Sequence, residues 1–241
     1  MEEPVYPSLS KYLATCGFCS RRAAVDIIKA SRVTINGEVE INPGFRVIDS
    51  CEVKVDGSLL TVPQKRHYVM LNKPRGYVCS NKDKHAGKLA VDLIKLDPPA
   101  RLFSAGRLDC DSEGLIIFSD DGDFVNKIAH PSFCVLKEYK VKVSKTFSPS
   151  DLNKMVDGIV DDGEKLHVLK AKPLGKNTYI LTLNEGKKRE IRRIVKNLGA
   201  ETLQLKRISV GNLKLGSLKV GEFRELSLEE IDLIFSANDQ L

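Results

Sequence analysis

Residues 106 to 118 read Gly106-Arg107-Leu108-Asp109-Cys110-Asp111-Ser112-Glu113-Gly114-Leu115-Ile116-Ile117-Phe118. This stretch places an arginine and several carboxylates on a short polar turn between the apolar runs 102–103 and 115–118. Both runs are short, apolar and bounded by Gly and Asp, which predicts two β-strands. A carboxylate fixed between two strands is held rigidly, as catalysis requires. The carboxylates of this turn, Asp109 and Asp111, are therefore candidate catalytic groups, although for an isolated Asp-x-Asp a solvated acidic turn would be the better interpretation.

The spacing of these acidic residues is also similar to that of an EF-hand calcium loop, with candidate positions at Asp109, Asp111, Glu113, Gly114, Ile116 and Asp120. The fifth position is Glu113 rather than Asp or Asn. The twelfth position is Asp120, whose side chain is too short for the usual bidentate contact with calcium. Strands rather than helices are predicted on both sides. We therefore predict no metal site in this loop.

Composition and charge limit the class of protein. The chain has 241 residues, 42% of them hydrophobic, and lacks an apolar run of membrane-spanning length. Its first residues, Met1-Glu2-Glu3-Pro4, are acidic and do not resemble a secretory signal. A formal net charge of +6 is compatible with binding a polyanion. These features predict a soluble cytoplasmic protein that does not bind a membrane.

The chain contains six cysteines, and Cys16 and Cys19 form a single Cys-x-x-Cys pair. No second pair or nearby histidine completes a zinc site. Since the chain shows neither a secretory signal nor a disulfide framework, we expect free thiols in a reducing compartment. No Gly-rich nucleotide loop is evident either, and we predict no cofactor.

Residues 8 to 60 are predicted to form a small domain of two helices followed by a sheet. Apolar residues recur at helical spacing from Leu9 to Cys16, and Ser20 can cap a second helix. The period then changes to two around Asn36-Gly37, a dipeptide typical of a tight hairpin. Val53 and Val55 continue the strand pattern.

This pattern resembles the S4 RNA-binding domain. The matching residues are Leu9-x-x-Tyr12-Leu13, Ser20-Arg21-Arg22, Arg32-Val33-Thr34-Ile35-Asn36-Gly37 and Val53-Lys54-Val55-Asp56-Gly57. The resemblance implies a basic RNA-binding surface formed by Lys11, Arg21, Arg22 and Arg32. Contacts of this kind bind phosphates and give affinity rather than sequence choice.

Residues 58 to 66 are interpreted as a linker, and a larger domain is predicted from residue 67 to 235. Strand-like runs such as 68–73, 139–143 and 179–183 outnumber helix-like runs such as 124–129 and 149–156. Many of the strands are joined by short turns. The pattern favours an α+β domain with a mainly antiparallel mixed sheet flanked by helices.

Four motifs of this second domain, in order along the chain, resemble the RsuA family of ribosomal RNA pseudouridine synthases. They are Leu71-Asn72-Lys73-Pro74-Arg75-Gly76-Tyr77, the Asp109 stretch, Lys137-Glu138-Tyr139-Lys140-Val141, and Asn184-Glu185-Gly186-Lys187-Lys188-Arg189-Glu190-Ile191-Arg192-Arg193. Each motif alone is weak evidence, whereas four in order beside an S4-like domain are strong evidence. Together with the S4-like domain, the resemblance covers nearly the whole chain.

The resemblance implies a catalytic site of Asp109, Tyr139 and Arg192. Asp109 would be the essential carboxylate, Arg192 its ion-pair partner, and Tyr139 would stack on the target uracil. Leu205 would pack beside the site. Asp109 could attack C1′ of the ribose, abstract a sugar proton or attack the base, and the sequence does not choose among these routes. Further RNA contacts are expected from Arg107, Lys73, Arg189 and Arg193.

Helical geometry separates two of these arginines. Ile191, Ile194, Val195 and Leu198 form an apolar stripe on a predicted helix. At about 100° per residue, Arg192 lies at the edge of the stripe and Arg193 points away from it. Arg192 can therefore pair with a buried carboxylate, while Arg193 is expected to face solvent or RNA.

The sequence favours a monomeric enzyme that acts on ribosomal RNA or a ribosome assembly intermediate. A non-catalytic RNA-binding assembly factor is the main alternative, although such a protein would be expected to have lost Asp109, Tyr139 or Arg192. A retaining glycoside hydrolase using Asp109 and Glu113 would need carboxyl groups about 5–5.5 Å apart, and the scarcity of aromatic residues opposes it. Residues 188–193 favour a large-subunit substrate and residues 77–80 a small-subunit one, so the subunit stays open.

Overall fold

The computed structural model describes residues 6–80 and 87–236, and the acidic segment 1–4 lies outside that range. The chain divides into two compact units, residues 1–66 and 67–241. Each unit has hydrophobic core clusters of its own. Within the described residues, no helix is long and apolar enough to cross a membrane.

The first unit contains two helices and a four-stranded antiparallel sheet. Its elements are α1 (Leu9–Thr15), α2 (Arg21–Lys29), β1 (Val33–Ile35), β2 (Glu38–Val39), β3 (Val53–Val55) and β4 (Ser58–Leu59). The strand order is β2-β1-β3-β4. The Ser20 side chain caps α2 by accepting a hydrogen bond from the Ala23 amide, as predicted.

Turn residues explain the order of these short strands. Asn36 and Gly37 both have positive φ, at 52° and 92°, which suits the tight turn between β1 and β2. Ser58 and Leu59 pair with β3, so the segment interpreted as a linker begins with a strand. The error arose because a two-residue strand carries too little periodicity to be detected.

The second unit is built around a nine-stranded mixed sheet. The strands of the whole unit, in chain order, are β5 (Tyr68–Lys73), β6 (Phe103–Ser104), β7 (Glu113–Ser119), β8 (Lys137–Val143), β9 (Ile159–Asp161), β10 (Glu164–Leu166), β11 (Lys170–Gly175), β12 (Thr178–Leu183), β13 (Thr202–Val210), β14 (Leu213–Lys214) and β15 (Phe223–Glu225). Its helices are α3 (Gly122–Ala129), α4 (Pro149–Asp157), α5 (Glu190–Asn197) and α6 (Leu228–Phe235). Strands β9 and β10 form a separate hairpin.

The large sheet has the order β11-β12-β8-β13-β7-β5-β15, with β14 added to β13 and β6 added to β7. The β13–β7 pair is parallel, and the other pairs in the sheet are antiparallel. The predicted fold class, a small α+β unit followed by a mainly antiparallel mixed sheet with flanking helices, is confirmed.

Gly114 makes the parallel β13–β7 pair possible. It lies opposite Arg207 with a φ of 106°, and a Cβ atom at this position would lie 2.2 Å from the Arg207 carbonyl oxygen. Any side chain would therefore push β13 away from β7. The close approach matters because the Asp109 turn leads into β7 while Arg207 belongs to β13.

Candidate active site

The turn between β6 and β7 is fixed by its own backbone and by its neighbours. The Ser112 amide donates to the Asp109 carbonyl at 3.0 Å, and the Gly76 amide donates to the Cys110 carbonyl at 2.7 Å. The Leu108 side chain is buried in the hydrophobic core and holds the turn in place. The Asp109 side chain, 36% exposed, extends from this fixed backbone. Asp109 thus lies on a turn between β6 and β7, as the sequence predicts.

Arg189 joins the two aspartates of the turn. It forms a two-pronged contact with Asp111, with N–O distances of 3.3 and 3.2 Å, while its Nη1 lies 3.9 Å from Asp109 Oδ2. Bidentate geometry fixes the guanidinium on Asp111. In the described part of the chain this is the one ion pair of Asp109, and its long distance leaves the carboxylate less engaged than that of Asp111.

Arg192 pairs with Asp111 rather than with Asp109, which corrects the sequence expectation. Its Nη2 lies 3.3 Å from Asp111 Oδ2 and donates to the Asp111 carbonyl at 3.0 Å and to Ser112 Oγ at 3.3 Å. Arg192 does point inward from the helix as predicted, since its side chain is only 13% exposed. It contacts the end of the turn that enters β7, a position along the turn that helical spacing does not specify.

These contacts explain the electrostatics of Asp111. Desolvation raises the pKa of Asp111, but the hydrogen bond from Arg189 and the charges of Arg192 and Arg189 outweigh it. The net effect is a pKa below its ordinary value. Burial lowers the pKa of Arg192, and the charge of Asp111 opposes that effect. Asp111 therefore stays ionised and holds both arginines against the turn.

Asp109 lines a cleft of about 880 Å³ in the second unit. The turn, with Arg107 and Asp109, forms one wall, and residues 185–189 before α5 form another. Tyr139 lines the same cleft and is partly buried, with Val141 and Val143 buried along the same face of β8. Leu205 is also buried at the cleft, as the resemblance implied. The structure thus brings Asp109 and Tyr139 together.

Four cationic residues of the cleft were not among the predicted site residues, and two of them, Lys187 and Lys188, belong to the wall formed by residues 185–189. The other two lie on strands, Lys137 on β8 and Arg207 on β13. A signal was present, because Lys137 is two residues before Tyr139 and Arg207 is two residues after Leu205. In a strand, residues two apart share a face.

A group of three possible metal ligands lies beside the wall formed by residues 185–189. The ligand atoms of His167, Glu185 and Glu190 lie within 4.8 Å of one another. Glu190 is buried and accepts hydrogen bonds from the Lys187 and His167 amides, while Glu185 forms an ion pair with Lys187 at 3.2 Å. Burial raises the pKa of Glu190. These contacts occupy the carboxylates and fix the cleft wall.

Lys73 does not fit its expected role as an RNA contact. It is fully buried, and its Nζ donates to the carbonyls of Pro74 and Tyr77 at 3.0 and 2.8 Å. Burial lowers its pKa. The chain turns back over the end of β5, and the ammonium group satisfies its carbonyls. RNA cannot reach it.

The other predicted RNA contacts differ in their surroundings. Arg21, Arg22 and Arg107 are exposed, and Lys11 is partly exposed. Arg32 is exposed but forms a two-pronged ion pair with Asp56, at 3.0 and 2.5 Å.

Arg193 is occupied by a structural ion pair, which corrects the expectation that it faces solvent or RNA. Its Nε lies 2.5 Å from Asp161 Oδ2, and its Nη1 lies 2.6 Å from Glu164 Oε2. The β9–β10 hairpin covers this side of α5, a contact between distant segments that helical periodicity cannot predict.

Replacing Arg193 by methionine is therefore expected to destabilise the second unit without weakening RNA binding. Two carboxylates on the hairpin would lose their common partner. Thermal unfolding and equilibrium binding to ribosomal RNA measure the two effects. Arg22→Met is the control, because Arg22 is exposed in the first unit and should show the reverse pattern. Weaker RNA binding by Arg193→Met at unchanged stability would contradict this assignment.

Comparison with known proteins defines the class of this chain. The S4 domain model matches residues 8–50. The RNA pseudouridylate synthase model matches residues 67–197, more than half of the chain. The second match contains the Asp109 turn, Tyr139 and α5.

Relatives of similar length extend the match to nearly the whole chain. Ribosomal large subunit pseudouridine synthase B of Bacillus subtilis is 36% identical, over 96% of this chain and 96% of that protein. Ribosomal small subunit pseudouridine synthase A of Vibrio vulnificus is 33% identical, over 94% of this chain and 99% of its own length. A crystal structure of a pseudouridylate synthase aligns with a TM-score of 0.69 at 30% identity, covering 94% of this chain and 99% of that chain. The chain belongs to the RNA pseudouridylate synthase family.

Proposed function

We propose that this protein converts a specific uridine of ribosomal RNA into pseudouridine, with Asp109 as the essential carboxylate. The reaction breaks the N1–C1′ bond of the uridine, turns the uracil and joins its C5 to C1′. The choice of ribosomal RNA is supported by the relatives named for the large and small ribosomal subunits. The free RNA or a ribosome assembly intermediate in the cytoplasm would be the substrate, and the enzyme would act as a monomer.

The observation that carries the proposal is the unequal use of the two aspartates. Asp111 is held by two arginines, whereas Asp109 lines the cleft with one contact at 3.9 Å. A nucleophile or base needs an oxygen that a substrate can approach. Asp109 lines the cleft, whereas both carboxylate oxygens of Asp111 already accept hydrogen bonds from Arg189. Arg189 keeps a positive charge beside Asp109.

Tyr139 has the surroundings expected of a stacking residue. It lies in the cleft, is partly buried and packs against two of the hydrophobic core clusters of the second unit. A uracil removed from its RNA helix loses its stacking neighbours, and an aromatic ring replaces them. Arg107 is exposed at the same cleft and would contact the RNA around the extracted nucleotide.

The proposal revises the role of Arg192. The residue acts through the turn, because its hydrogen bonds to the Asp111 carbonyl and Ser112 fix the segment that carries Asp109. It is a positioning residue, and Arg189 is the direct ionic neighbour of Asp109.

A non-catalytic RNA-binding factor is the second candidate. It would need the S4-like unit and the basic surface but no open carboxylate in a cleft. Incubating the purified protein with ribosomal RNA labelled with tritium at C5 of uridine separates the two candidates. Isomerisation exchanges the C5 hydrogen and releases tritium into water, whereas a binding factor shifts the RNA on a gel and releases none.

Deleting residues 1–62 is expected to weaken RNA binding more than it slows the chemistry. The second unit has its own core clusters and contains the whole cleft, so it should fold alone. Loss of basic phosphate contacts should raise KM more than it lowers kcat, and high salt should have the same effect on the full chain. Single-turnover rates at saturating RNA decide the question. A truncated protein that binds normally but has lost its chemistry would show that the first unit completes the active site.

A further inference from the structure

Lys137 is a mostly buried cation at the cleft. It begins β8, and its Nζ donates to the Ile128 carbonyl at 3.0 Å, near the end of α3. Among the described residues this is its one recorded hydrogen bond, although an ammonium group has three donors. The Ile128 carbonyl holds the Lys137 side chain in place, and the remaining N–H donors of the ammonium group are available to a ligand.

Arg207 is a second buried cation beside the first. Only 3% of the residue is exposed, and its Nε donates to the Leu115 carbonyl at 2.6 Å. Its Nη2 is buried and has no hydrogen-bond partner among the described residues. An unsatisfied buried donor of this kind costs stability, and a bound acceptor would satisfy it.

No carboxylate within the described ranges forms an ion pair with either cation. Glu138 follows Lys137 in sequence but lies on the other face of β8, where it pairs with Lys214 at 2.8 Å. Burial and the charge of Arg207 lower the pKa of Lys137 to about 8. Two like charges are thus held together in a cleft without a counterion, an arrangement that favours an anionic ligand.

The position of the two cations indicates which anion. Arg207 is the direct cross-strand partner of Tyr139, so their side chains share a face of the sheet. Lys137 shares that face because it is two residues from Tyr139. A ring stacked on Tyr139 would therefore have its edges beside both cations. A backbone phosphate would lie outside the stack, further from the sheet.

We propose that Lys137 and Arg207 bind the carbonyl oxygens of the target uracil and stabilise the negative charge that the ring acquires during isomerisation. This inference rests on the proposed function. Lys137 and Arg207 would then contact the substrate in addition to Asp109. Their ligand would be the base rather than the phosphate backbone.

The charge arises in each route open to Asp109. When the N1–C1′ bond breaks, its electron pair leaves with the uracil, and the charge spreads over N1, O2 and O4. Asp109 either bonds to the electron-poor C1′ or removes a sugar proton. When Asp109 instead adds to the ring, a ring π-electron pair moves toward O4. When C5 bonds to C1′, the Asp109–C1′ bond breaks or the proton returns to the sugar, and in the addition route the bond between Asp109 and the ring breaks. C5 then loses a proton and N1 gains one, so the product is neutral and Asp109 is regenerated.

Lys137→Met is expected to lower the single-turnover rate by about 100-fold, the typical cost of losing one donor to a developing charge. RNA affinity should change by less than about threefold, because phosphate contacts elsewhere supply it. Lys137→Arg should restore part of the rate. Lys140→Met is the matched control, since Lys140 is exposed on the opposite face of β8. Arg207→Lys serves as a second variant that retains the charge at the buried position, with thermal unfolding as the check on folding.

A fluorinated substrate distinguishes charge stabilisation from simple packing. In ribosomal RNA transcribed with 5-fluorouridine, C5 has no proton to lose after it bonds to C1′, so the rearranged ring takes up water across C6 and N1, and the hydrated C5-linked nucleoside is the product. The fluorine also stabilises the ring anion. The Lys137→Met penalty should therefore shrink by about tenfold when conversion is followed by nucleoside chromatography. An equal penalty on both RNAs would overturn the proposal, as would weaker binding at an unchanged rate, which marks a phosphate contact. Absence of product with the wild-type chain would instead refute the proposed function itself.

Discussion

Asp109→Asn is expected to abolish pseudouridine formation while leaving folding and RNA affinity nearly unchanged. The amide is almost the same size as the carboxylate but cannot serve as nucleophile or base at neutral pH. Because the one ion pair of Asp109 in the described chain is a 3.9 Å contact with Arg189, its loss should cost little stability. Tritium release from C5-labelled ribosomal RNA measures the activity, and thermal unfolding measures the stability.

Asp111→Asn is the matched comparison from the same turn. Asp111 holds both Arg189 and Arg192, so this variant should lose stability and only part of its activity. Activity of Asp109→Asn within about tenfold of wild type, a barrier change of about 1.4 kcal/mol, would exclude Asp109 as the essential carboxylate. A larger loss of activity in Asp111→Asn would transfer that role to Asp111.

Arg192→Met should damage both stability and activity. The Asp111 carbonyl and the Ser112 hydroxyl would lose a charged donor, at a cost of about 1–3 kcal/mol in the free energy of unfolding. A looser turn would move Asp109 out of position, and misplacement of about 1 Å can cost about 100-fold in rate. Thermal unfolding and single-turnover kinetics at saturating RNA measure the two losses.

Arg193→Met, from the same helix, provides the control for that variant. It should lose stability but keep its activity, because its carboxylate partners lie on the β9–β10 hairpin. Arg192→Lys should recover some activity, since a lysine keeps the charge but not the fork of donors. Equal behaviour of Arg192→Met and Arg193→Met would refute the assignment of the two helix faces.

Much of the fold could be predicted from patterns among residues that are close together in the sequence. The positive-φ turn at Asn36-Gly37, the Ser20 cap and the apolar stripe on α5 each depend on neighbouring residues, and each was predicted. The Asp109 turn also follows from its sequence, since short apolar strands enclose it. The turn between β6 and β7 positions Asp109, and β8 positions Tyr139.

Contacts between distant segments were not predicted. Gly114 marks the place where β13 approaches β7, yet nothing in its neighbours identifies Arg207 as its partner. Helical periodicity predicted on which face of α5 Arg192 lies. It did not predict which end of the Asp109 turn Arg192 contacts. Lys73 was predicted to contact RNA, but it is fully buried, and carbonyls of the chain that follows it satisfy its ammonium group.

Mapping pseudouridines in ribosomal RNA from cells that lack this protein tests the central claim most directly. The account predicts that a pseudouridine present in the parent cells disappears, returns when the wild-type chain is supplied, and does not return with Asp109→Asn. The restored position would also identify the ribosomal subunit that is modified. An unchanged map, or restoration by Asp109→Asn, would contradict the assignment of this chain as an Asp109-dependent ribosomal RNA pseudouridine synthase.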